Sequence, residues 1–488
     1  MSDSGTPRNS RQRSNAARPP RSSGGRPPAR GAQTNQSSVQ PARRIALDIL
    51  IAVRESDAYA NLLLPVRLER AKLSDADAGF TTELTYGTLR MRGYYDRVIQ
   101  LAAGRDTDKI DPAILDVLRL ATHQLLSLRV AQHAAVDEAV SLAKTVGSNS
   151  ATGFVNGVLR TITRTEPDVW RDRVLATATN DDDRLSILYS HPQWIVRAFR
   201  QALAAEDRAD ELEALLQADN VPPRVSLVAL PGKSTVAELD AYSSPFSPVG
   251  AILDGGDPAA LDAVRHGNAR VQDEGSQLAA LALSRIRPVT QGEKWLDLCA
   301  GPGGKAALLA AEAIQGGAVL TANELVPARA ELVRKALAVF TPAPEVLELD
   351  GTTVGALHPE TYDRILLDAP CTGLGALRRR PEARWRKLPK DVADLADLQL
   401  RLLESAIAAL KPGGVLAYVT CSPHLGETKV IVQTALRKSD GAVTKINTQD
   451  VLARVTVENL DLPEAEHVQL WPHRHGTDAM FIQLLTKN

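Results

Sequence analysis

Residues 294–305 read Lys-Trp-Leu-Asp-Leu-Cys-Ala-Gly-Pro-Gly-Gly-Lys, and this stretch decides the fold of the C-terminal part of the chain. The apolar run Trp295–Cys299 predicts a buried strand, and a helical pattern follows over Lys305–Ile314. Glycines at such a strand-to-helix turn let a ligand approach the main chain, and the unpaired N–H groups of the new helix point into the same space. The stretch therefore predicts a cofactor-binding turn.

The turn does not fit either of two common nucleotide-binding motifs. Its glycine spacing matches neither GxGxxG nor the GxxxxGK[ST] of a phosphate-binding loop. An ordinary glycine-rich connection between a strand and a helix is the simpler alternative. The residues at the ends of the later strands favour the cofactor site.

After Gly292 the pattern alternates between strands and helices, with helical segments such as Ala328–Phe340 and Val392–Leu410. This alternation predicts a parallel, doubly wound α/β sheet of the Rossmann-like class, in which ligands bind beyond the carboxyl ends of the strands. The chemistry is therefore expected at strand ends. The predicted strands are Trp295–Ala300, Val319–Asn323, Val346–Leu349, Ile365–Ala369 and Val415–Thr420.

Acidic residues follow the second and third of these strands. Glu324 stands one crossover after the glycine turn, where a carboxylate can accept hydrogen bonds from the two hydroxyls of a ribose. Asp350 follows the third strand and can accept a bond from an exocyclic amine such as that of adenine. Helix capping is the alternative role for each acid. Two acids at successive strand ends beside a glycine turn favour a nucleoside-cofactor site.

Two of the three cysteines fall at the ends of consecutive predicted strands. Cys371 lies three residues after Asp368 at the end of the fourth strand, and Cys421 ends the fifth. A single free cysteine is most often a small buried hydrophobe. The paired placement next to an acid instead favours catalysis, because thiolates are strong nucleophiles that can attack a carbon and later leave it.

Composition limits the class of protein. The chain has 488 residues, 44% of them hydrophobic, which is enough for about two to four domains with a sizeable core. Three cysteines are too few and too scattered for a disulfide framework or a zinc ribbon, so we expect no metal. No apolar run is long enough to span a bilayer, and the N-terminus lacks the hydrophobic segment of a secretory signal. A cytoplasmic location is predicted.

Residues 1–40 differ from the rest of the chain. They contain seven Arg and one Asp, a charge of +6, which leaves −7 for the remainder of a chain whose net charge is −1. Ser, Pro, Gly and Arg dominate, and large apolar residues are nearly absent, so we predict a disordered tail. Its role is either a sequence-independent arm for nucleic-acid phosphates or an inert extension.

The next region is predicted to be helical and is followed by a small mixed module. Residues 41–165 repeat apolar side chains at helical spacing, and Asp111-Pro112 has the order expected of a helix start. A proline- and charge-rich connection near residues 166–183 marks a boundary, and residues 184–289 read as a small α+β module. Some arginines of the helical region could contact RNA, although solvated charges on helix faces are commoner. They are Arg90, Arg92, Arg97, Arg119, Arg129 and Arg160.

The amino-acid sequences of several motifs resemble those of a known family. DLCAGPGGK, DAPCTGLG followed by LRRRPEARWR, TCSPHLGE and the terminal PHRHGTDAMF resemble the RsmB/Sun (Fmu) family of S-adenosylmethionine-dependent ribosomal RNA cytosine-5 methyltransferases. Residues 77–96, 137–146 and 154–160 resemble its NusB-like RNA-binding helical domain. The resemblance covers nearly everything after the tail. It implies an all-α domain, a linking module and a class I methyltransferase domain at residues 290–488.

The resemblance also implies roles for individual residues. Cys421 matches the nucleophile, Cys371 matches the cysteine that assists release, and Asp368 matches an acid at the target base and the cofactor. Whether Asn323 or Glu324 holds the ribose stays open, because some relatives have an acid at the strand terminus itself. The implied S-adenosylmethionine-binding residues are Cys299, Ala300, Gly301, Pro302, Gly303, Gly304, Lys305, Glu324, Asp350 and Asp368.

A basic segment follows the fourth predicted strand. It places six positive charges and one aromatic ring close to the proposed pocket, and RNA contact is favoured over a solvated basic loop. The residues concerned are Arg378, Arg379, Arg380, Arg384, Trp385, Arg386 and Lys387.

These features predict a monomeric enzyme that methylates carbon 5 of a cytosine in small-subunit (16S) ribosomal RNA. The nearest alternative is a transfer-RNA cytosine methyltransferase with the same core. A non-catalytic RNA-binding factor built on the NusB-like domain is the alternative from another class.

Overall fold

The computed structural model describes residues 39–56 and 58–488. The predicted arginine-rich tail thus lies almost entirely outside the described residues. In the described part of the chain, no helix combines the length and the apolar character needed to cross a lipid bilayer.

Within the described residues, the predicted helical region contains seven α-helices. Helix starts follow local sequence rules: the Asp111 carboxylate accepts hydrogen bonds from the Ala113 and Ile114 N–H groups, and the Ser74 hydroxyl accepts one from Asp77 N–H. One apolar cluster, which includes Tyr95 and Leu118, holds the helices together. The helices are α1 (Pro41–Glu55), α2 (Ala60–Ala71), α3 (Asp75–Arg90), α4 (Arg92–Ala103), α5 (Pro112–Leu126), α6 (Gln132–Val146) and α7 (Asn149–Thr163).

Helices continue beyond the predicted boundary, so the first part of the predicted α+β module is itself helical. Phe199 and Leu216 from this part pack with Leu374 and Trp471 of the C-terminal region. The segment therefore connects the two larger regions. Its helices are α8 (Pro167–Leu175), α9 (Asp181–Leu188), α10 (Gln193–Ala204) and α11 (Leu212–Ala218).

A small antiparallel sheet follows, with strand order β2-β3-β1-β4. The Gln277 side chain, on the next helix along the chain, donates hydrogen bonds to the Leu227 and Gln272 carbonyls. The sheet is thereby tied to the C-terminal region. Its elements are β1 (Val225–Ala229), β2 (Tyr242–Ser243), β3 (Gly250–Leu253), α12 (Asp262–Arg265) and β4 (Ala269–Val271).

The C-terminal region contains an eight-stranded sheet with order β10-β12-β9-β8-β5-β6-β7, and β11 pairs with β12. Strands β9, β8, β5, β6 and β7 are mutually parallel, as predicted, but β12 runs antiparallel to both β9 and β10. The sheet is therefore mixed, which corrects the purely parallel prediction. The helices of this region are α13 (Glu274–Ser284), α14 (Gly304–Gln315), α15 (Pro327–Leu337), α16 (Val354–Leu357), α17 (Ala383–Arg386), α18 (Pro389–Ala409), α19 (Lys429–Lys438), α20 (Thr448–Ala453) and α21 (Pro472–His475). The strands are β5 (Lys294–Asp297), β6 (Val319–Asn323), β7 (Glu345–Leu347), β8 (Tyr362–Asp368), β9 (Leu410–Thr420), β10 (Val443–Ile446), β11 (Val468–Gln469) and β12 (Phe481–Lys487).

Candidate active site

The glycine turn joins β5 to α14 at the carboxyl end of the sheet. Ala300 N–H donates to the Asn323 carbonyl at 2.8 Å, which fixes the turn against β6. Gly303 has φ +103°, and a Cβ there would lie 2.6 Å from the Cβ of Ala336. The position therefore needs glycine both for its conformation and for its contact with α15.

The Glu324 carboxylate lies directly against this turn. Its Oε2 accepts a hydrogen bond from Gly301 N–H at 3.1 Å, and its Oε1 accepts one from Val326 N–H at 3.0 Å. A Cβ on Gly301 would lie only 2.1 Å from Oε2. Glycine at position 301 thus lets the acid approach the main chain, and alanine there would displace the carboxylate.

Asn323 and Asp350 have structural partners. The Asn323 Nδ2 donates to the Leu298 and Leu349 carbonyls, and its Oδ1 accepts from Leu349 N–H, so this side chain ties three strand ends together. The exposed Asp350 caps the following turn by accepting from the N–H and the hydroxyl of Thr352. The Asn323 amide is thus used by main-chain partners, and the choice between Asn323 and Glu324 for the ribose stays a prediction.

Cys371 and Cys421 lie together. Their sulfur atoms are 3.5 Å apart, and both side chains are half-buried. They meet because β8 and β9 are adjacent and parallel, with Asp368 opposite Val419, so that both strands end at the same edge. Gly375 N–H also donates to the Cys421 carbonyl at 2.9 Å, which joins the two loops.

The surroundings of the two sulfur atoms are asymmetric. The hydrogen bond with Cys371 and the positive charge of Lys305 lower the pKa of Cys421 in spite of burial and the Asp368 charge. The same hydrogen bond, together with burial, raises the pKa of the Cys371 thiol well above its ordinary value. Cys421 is therefore the one favoured as a thiolate, with Cys371 donating its S–H to it.

Lys305 and Asp368 form an ion pair beside the cysteines, with Nζ 2.8 Å from Oδ2. Burial alone would lower the pKa of Lys305, but the Asp368 carboxylate outweighs this effect and leaves that pKa raised. Lys305 is thus held as a cation next to Cys421. Asp368 ends β8, and Lys305 lies in α14, the helix that follows the glycine turn.

Glu427 is a site residue that the sequence reasoning missed. This fully buried carboxylate accepts hydrogen bonds from Thr372 N–H at 2.8 Å and from the Ser422 hydroxyl at 2.7 Å. Thr372 Oγ1 donates to it at 2.5 Å, and the amide of Gln399 at 3.2 Å. Thr372 and Ser422 each follow one of the two cysteines, so a single carboxylate cross-links the two loops. Its place at the end of TCSPHLGE was the available signal.

Several arginines of the predicted basic segment have partners within the chain. Arg378 and Arg379 make ion pairs with Asp478, and Arg379 also pairs with Asp273 at 2.6 Å. Arg378 and Arg384 are buried, and Arg386 donates to the Val53 and Ala58 carbonyls. These guanidinium groups are committed to partners within the chain. Arg380, Trp385 and Lys387 remain as predicted RNA contacts.

Arg384 connects three segments of the chain. Its Nη1 donates to the carbonyls of Arg90 and Ser190, and its Nη2 donates to the Asp219 carbonyl at 2.8 Å. The side chain is fully buried, and burial lowers the pKa of Arg384 to about 10. The residue therefore joins α17 to the helical regions rather than contacting phosphate.

We expect Arg384→Met to destabilise the protein by about 3 kcal/mol, because several buried carbonyls would lose their donor. The change is measured as a shift of the urea unfolding midpoint followed by tryptophan fluorescence. Arg401→Met is the matched control, since Arg401 is exposed and its pair with Asp397 should contribute less than about 1 kcal/mol. Equal shifts for the two variants would contradict the connecting role of Arg384.

The six arginines named in the helical region differ in burial, and Arg92 and Arg97 are half-buried. Arg90 and Arg119 are buried, and Arg119 binds Asp96 and Asp116. Arg129 and Arg160 are exposed and stay candidates for RNA contact. No cluster of three or more His, Cys, Asp or Glu residues within the described ranges could hold a metal ion.

Comparison with known proteins places this geometry in a family. Residues 285–486 match the family model described as 16S rRNA methyltransferase RsmB/F, and residues 40–164 match the NusB family. The chain is 49% identical to the protein named "Putative methyltransferase Rv1407" of Mycobacterium tuberculosis, over 92% of this chain and 97% of the relative. It is 31% identical to "Probable ribosomal RNA small subunit methyltransferase B" of Bacillus subtilis, over 91% and 98% of the two chains.

A solved structure extends the similarity to the fold. The crystal structure of PH0851 superposes with a TM-score of 0.76 at 23% identity, covering 92% of this chain and 99% of the other. The predicted NusB-like helical region and the predicted C-terminal methyltransferase domain agree with the two family matches. The protein is a member of the RsmB/F methyltransferase family and carries a NusB-family domain on its N-terminal side.

Proposed function

We propose that this protein transfers a methyl group from S-adenosylmethionine to carbon 5 of a cytosine in small-subunit ribosomal RNA. The observation that carries the proposal is the 3.5 Å separation of the Cys371 and Cys421 sulfur atoms beside the Lys305–Asp368 pair. Two thiols at one strand edge suit a reaction in which a thiolate adds to a base and then leaves it. The ribosomal RNA substrate is suggested by the names of two relatives, which are 31% and 28% identical to this chain.

The residues around the glycine turn fit S-adenosylmethionine. Asp297 is buried, and neither of its carboxylate oxygens has a hydrogen-bond partner among the described residues. Burial and the nearby Asp368 charge raise the pKa of Asp297 to about 8 in spite of the positive charge of Lys305. The cofactor carries a sulfonium and an amine. We propose that Asp297 faces these charges, that the N-terminus of α14 faces the carboxylate, and that Glu324 binds the ribose.

We expect Glu324→Gln to weaken S-adenosylmethionine binding about tenfold or more, because charge-assisted hydrogen bonds to the ribose would be lost. Isothermal titration calorimetry measures the dissociation constant. Glu331→Gln is the matched control, since Glu331 is exposed and makes a loose 3.6 Å ion pair with Arg334. A Glu324→Gln variant that binds the cofactor as tightly as the control would remove Glu324 from the site.

Carbon 5 of cytosine is a poor nucleophile, so the ring must first be activated. The Cys421 thiolate adds to carbon 6, and the electrons of the carbon 5–carbon 6 double bond then make carbon 5 nucleophilic. Bound S-adenosylmethionine supplies the activated methyl group. Negative charge develops on the ring during the addition. The Lys305 ammonium donates a hydrogen bond to the Asp368 carboxylate at 2.8 Å, so we propose that a proton of Lys305 passes through Asp368 to the ring nitrogen as this charge forms.

Release reverses the addition. Carbon 5 loses its proton to a base, the electron pair re-forms the ring double bond, and the bond from carbon 6 to the Cys421 sulfur breaks. The Cys371 S–H, 3.5 Å from Cys421, donates a hydrogen bond to the departing thiolate. Cys371 thereby makes Cys421 a better leaving group. The target cytosine must leave its stack to reach these atoms, and the exposed Arg380 and half-buried Lys387 are proposed to hold the displaced RNA.

The experiment that tests this function combines the purified protein, labelled S-adenosylmethionine and unmethylated small-subunit ribosomal RNA. Bisulfite sequencing then maps the modified cytosines. We expect one or a few cytosines of this RNA to be methylated. Methylation of transfer RNA alone would support the alternative substrate, and absence of transfer to any RNA would overturn the proposed activity.

A further inference from the structure

A cavity of 330 Å³ lies between the NusB-family domain and the segment that follows the catalytic Cys371. Thr88 and Arg92 line it from α3 and α4, while Glu382 and Trp385 line it from the catalytic side. It is much larger than the ~10–15 Å³ that one water needs. Neither domain alone forms this space, which we call the junction cavity.

The walls of the junction cavity carry donors that lack acceptors. Arg92 Nε, Trp385 Nε1 and Thr88 Oγ1 are buried atoms without a hydrogen-bond partner among the residues that the structure describes. Glu382 also lines the cavity, and its Oε2 has no hydrogen-bond partner among the described residues. Its Oε1 accepts a hydrogen bond from Ala60 N–H. Arg54 Nη2 is a fourth lining donor without a hydrogen-bond partner, so the described walls leave four such donors and one such acceptor, and an acceptor-rich group fits this space better than a donor-rich one.

Arg92 lacks a close counter-ion. The nearby Arg119 binds Asp96 at 2.6 Å and Asp116 at 2.9 Å, and Arg54 binds Asp116 at 2.8 Å. These contacts leave Arg92 with Asp96 at 3.9 Å. Burial and the positive charge of Arg119 lower the pKa of Arg92 to about 10. A bound anion would supply the missing charge.

The position of Arg92 makes it accessible and rigid. About 35% of its side chain is exposed, so a ligand can approach from solvent. Its guanidinium stacks 5.6 Å above the Trp385 ring, and a Cβ on the neighbouring Gly93 would lie 2.5 Å from that ring.

We propose that the junction cavity binds a phosphate of the RNA substrate's backbone, with Arg92, Thr88 and Trp385 donating to its oxygens. This inference rests on the proposed function, because an RNA substrate is the anion that would reach both the helical domain and the catalytic segment. Trp385 stands fourteen residues after Cys371 in the chain. A phosphate held here would fix the register of the RNA relative to the cysteines.

The test measures binding of in vitro transcribed small-subunit ribosomal RNA to the full-length protein by filter binding at several KCl concentrations. We expect Arg92→Gln to weaken binding about tenfold and to reduce the slope of log affinity against log salt by about one. Arg67→Gln is the matched control, since Arg67 is an exposed residue of α2 in the same domain and does not line the cavity, and it should change affinity less than about twofold. Arg92→Lys should keep most of the salt slope.

A second variant and a second ligand separate the outcomes. Thr88→Val removes a donor without changing the side-chain volume, and it should weaken RNA binding without altering the salt slope. This variant tests the inference if circular dichroism shows that Arg92→Gln does not fold. Inorganic phosphate and AMP are titrated by calorimetry. RNA affinities equal for the Arg92→Gln and Arg67→Gln variants would overturn the inference, and selective loss of phosphate or AMP binding alone would identify a small-anion site instead. Wild-type protein that binds no RNA would overturn both this inference and the proposed function.

Discussion

Replacing Cys421 with alanine is expected to reduce methyl transfer by at least about a thousandfold and to abolish the covalent adduct with RNA. The reason is that no other described sulfur combines a lowered pKa with a position at the end of β9 beside Lys305. Transfer is measured with labelled S-adenosylmethionine. The adduct is measured with RNA containing 5-azacytosine, which traps the enzyme, and is seen as a shift in a denaturing gel.

Cys371→Ala should have the opposite effect on the adduct. Addition to carbon 6 needs only Cys421, but the departing thiolate would lose the hydrogen bond from Cys371 at 3.5 Å. We therefore expect slow turnover together with an adduct that persists on ordinary cytosine RNA. If Cys371→Ala abolished the adduct and Cys421→Ala preserved it, the two roles would have to be exchanged.

Cys299 provides the matched control, because it is the third and last cysteine of the chain. Burial and the neighbouring acids raise the pKa of Cys299 far above its ordinary value, so it is not a nucleophile. Cys299→Ala should still form the adduct. Any effect on transfer should appear as weaker cofactor binding, since Cys299 belongs to the glycine turn.

The meeting of the two cysteines could be predicted because parallel strands bring their carboxyl ends to one edge. The motif DLCAGPGGK predicted the first strand and helix of a doubly wound sheet. In such a sheet the two predicted strands that end at Asp368 and Thr420 are neighbours, so the cysteines that follow them were expected to meet. The antiparallel β12 was not predicted, because the short terminal run Phe481–Lys487 carries no signal of its direction.

The sequence could not show which arginines of the basic segment have partners within the chain. Arg384 binds the carbonyl of Asp219 and the side chain of Asn220, which lie about 165 residues earlier in the chain. Sequence shows a charge but not its partner, and a run of arginines next to a catalytic loop looks the same whether it contacts RNA or another domain. Glu427 was missed for the same reason, since its partners Thr372 and Ser422 lie in two motifs that are far apart in the chain.

Glu427→Gln is expected to lower kcat about 10- to 100-fold while leaving KM for RNA within about threefold, because loosening a reacting group by roughly 1 Å has effects of this size. The wild-type carboxylate accepts bonds from the residues that follow Cys371 and Cys421. A glutamine cannot accept from all four donors with one oxygen, so at least one cysteine loop would lose its anchor. Steady-state kinetics with labelled cofactor give the two constants.

Glu274→Gln is the control for burying an amide in place of a carboxylate. Glu274 is also buried and accepts from the Phe246 and Ser247 N–H groups, both at 2.7 Å, but it is bonded to neither cysteine loop. Its substitution should change stability without the same loss of kcat. If Glu427 had only a structural role, the two variants would lose stability and activity in the same proportion.

A second measurement separates positioning from stability. The Glu427 charge contributes to the raised pKa of Cys371, so removing that charge should lower this pKa and weaken the preference for a Cys421 thiolate. Alkylation by iodoacetamide, followed by mass spectrometry across pH, reports which sulfur reacts. In the wild type we expect Cys421 to react first as pH rises, and in Glu427→Gln we expect Cys371 to react at a lower pH than before. An unchanged order and midpoint, with kcat intact, would show that Glu427 does not set the geometry of the two thiols.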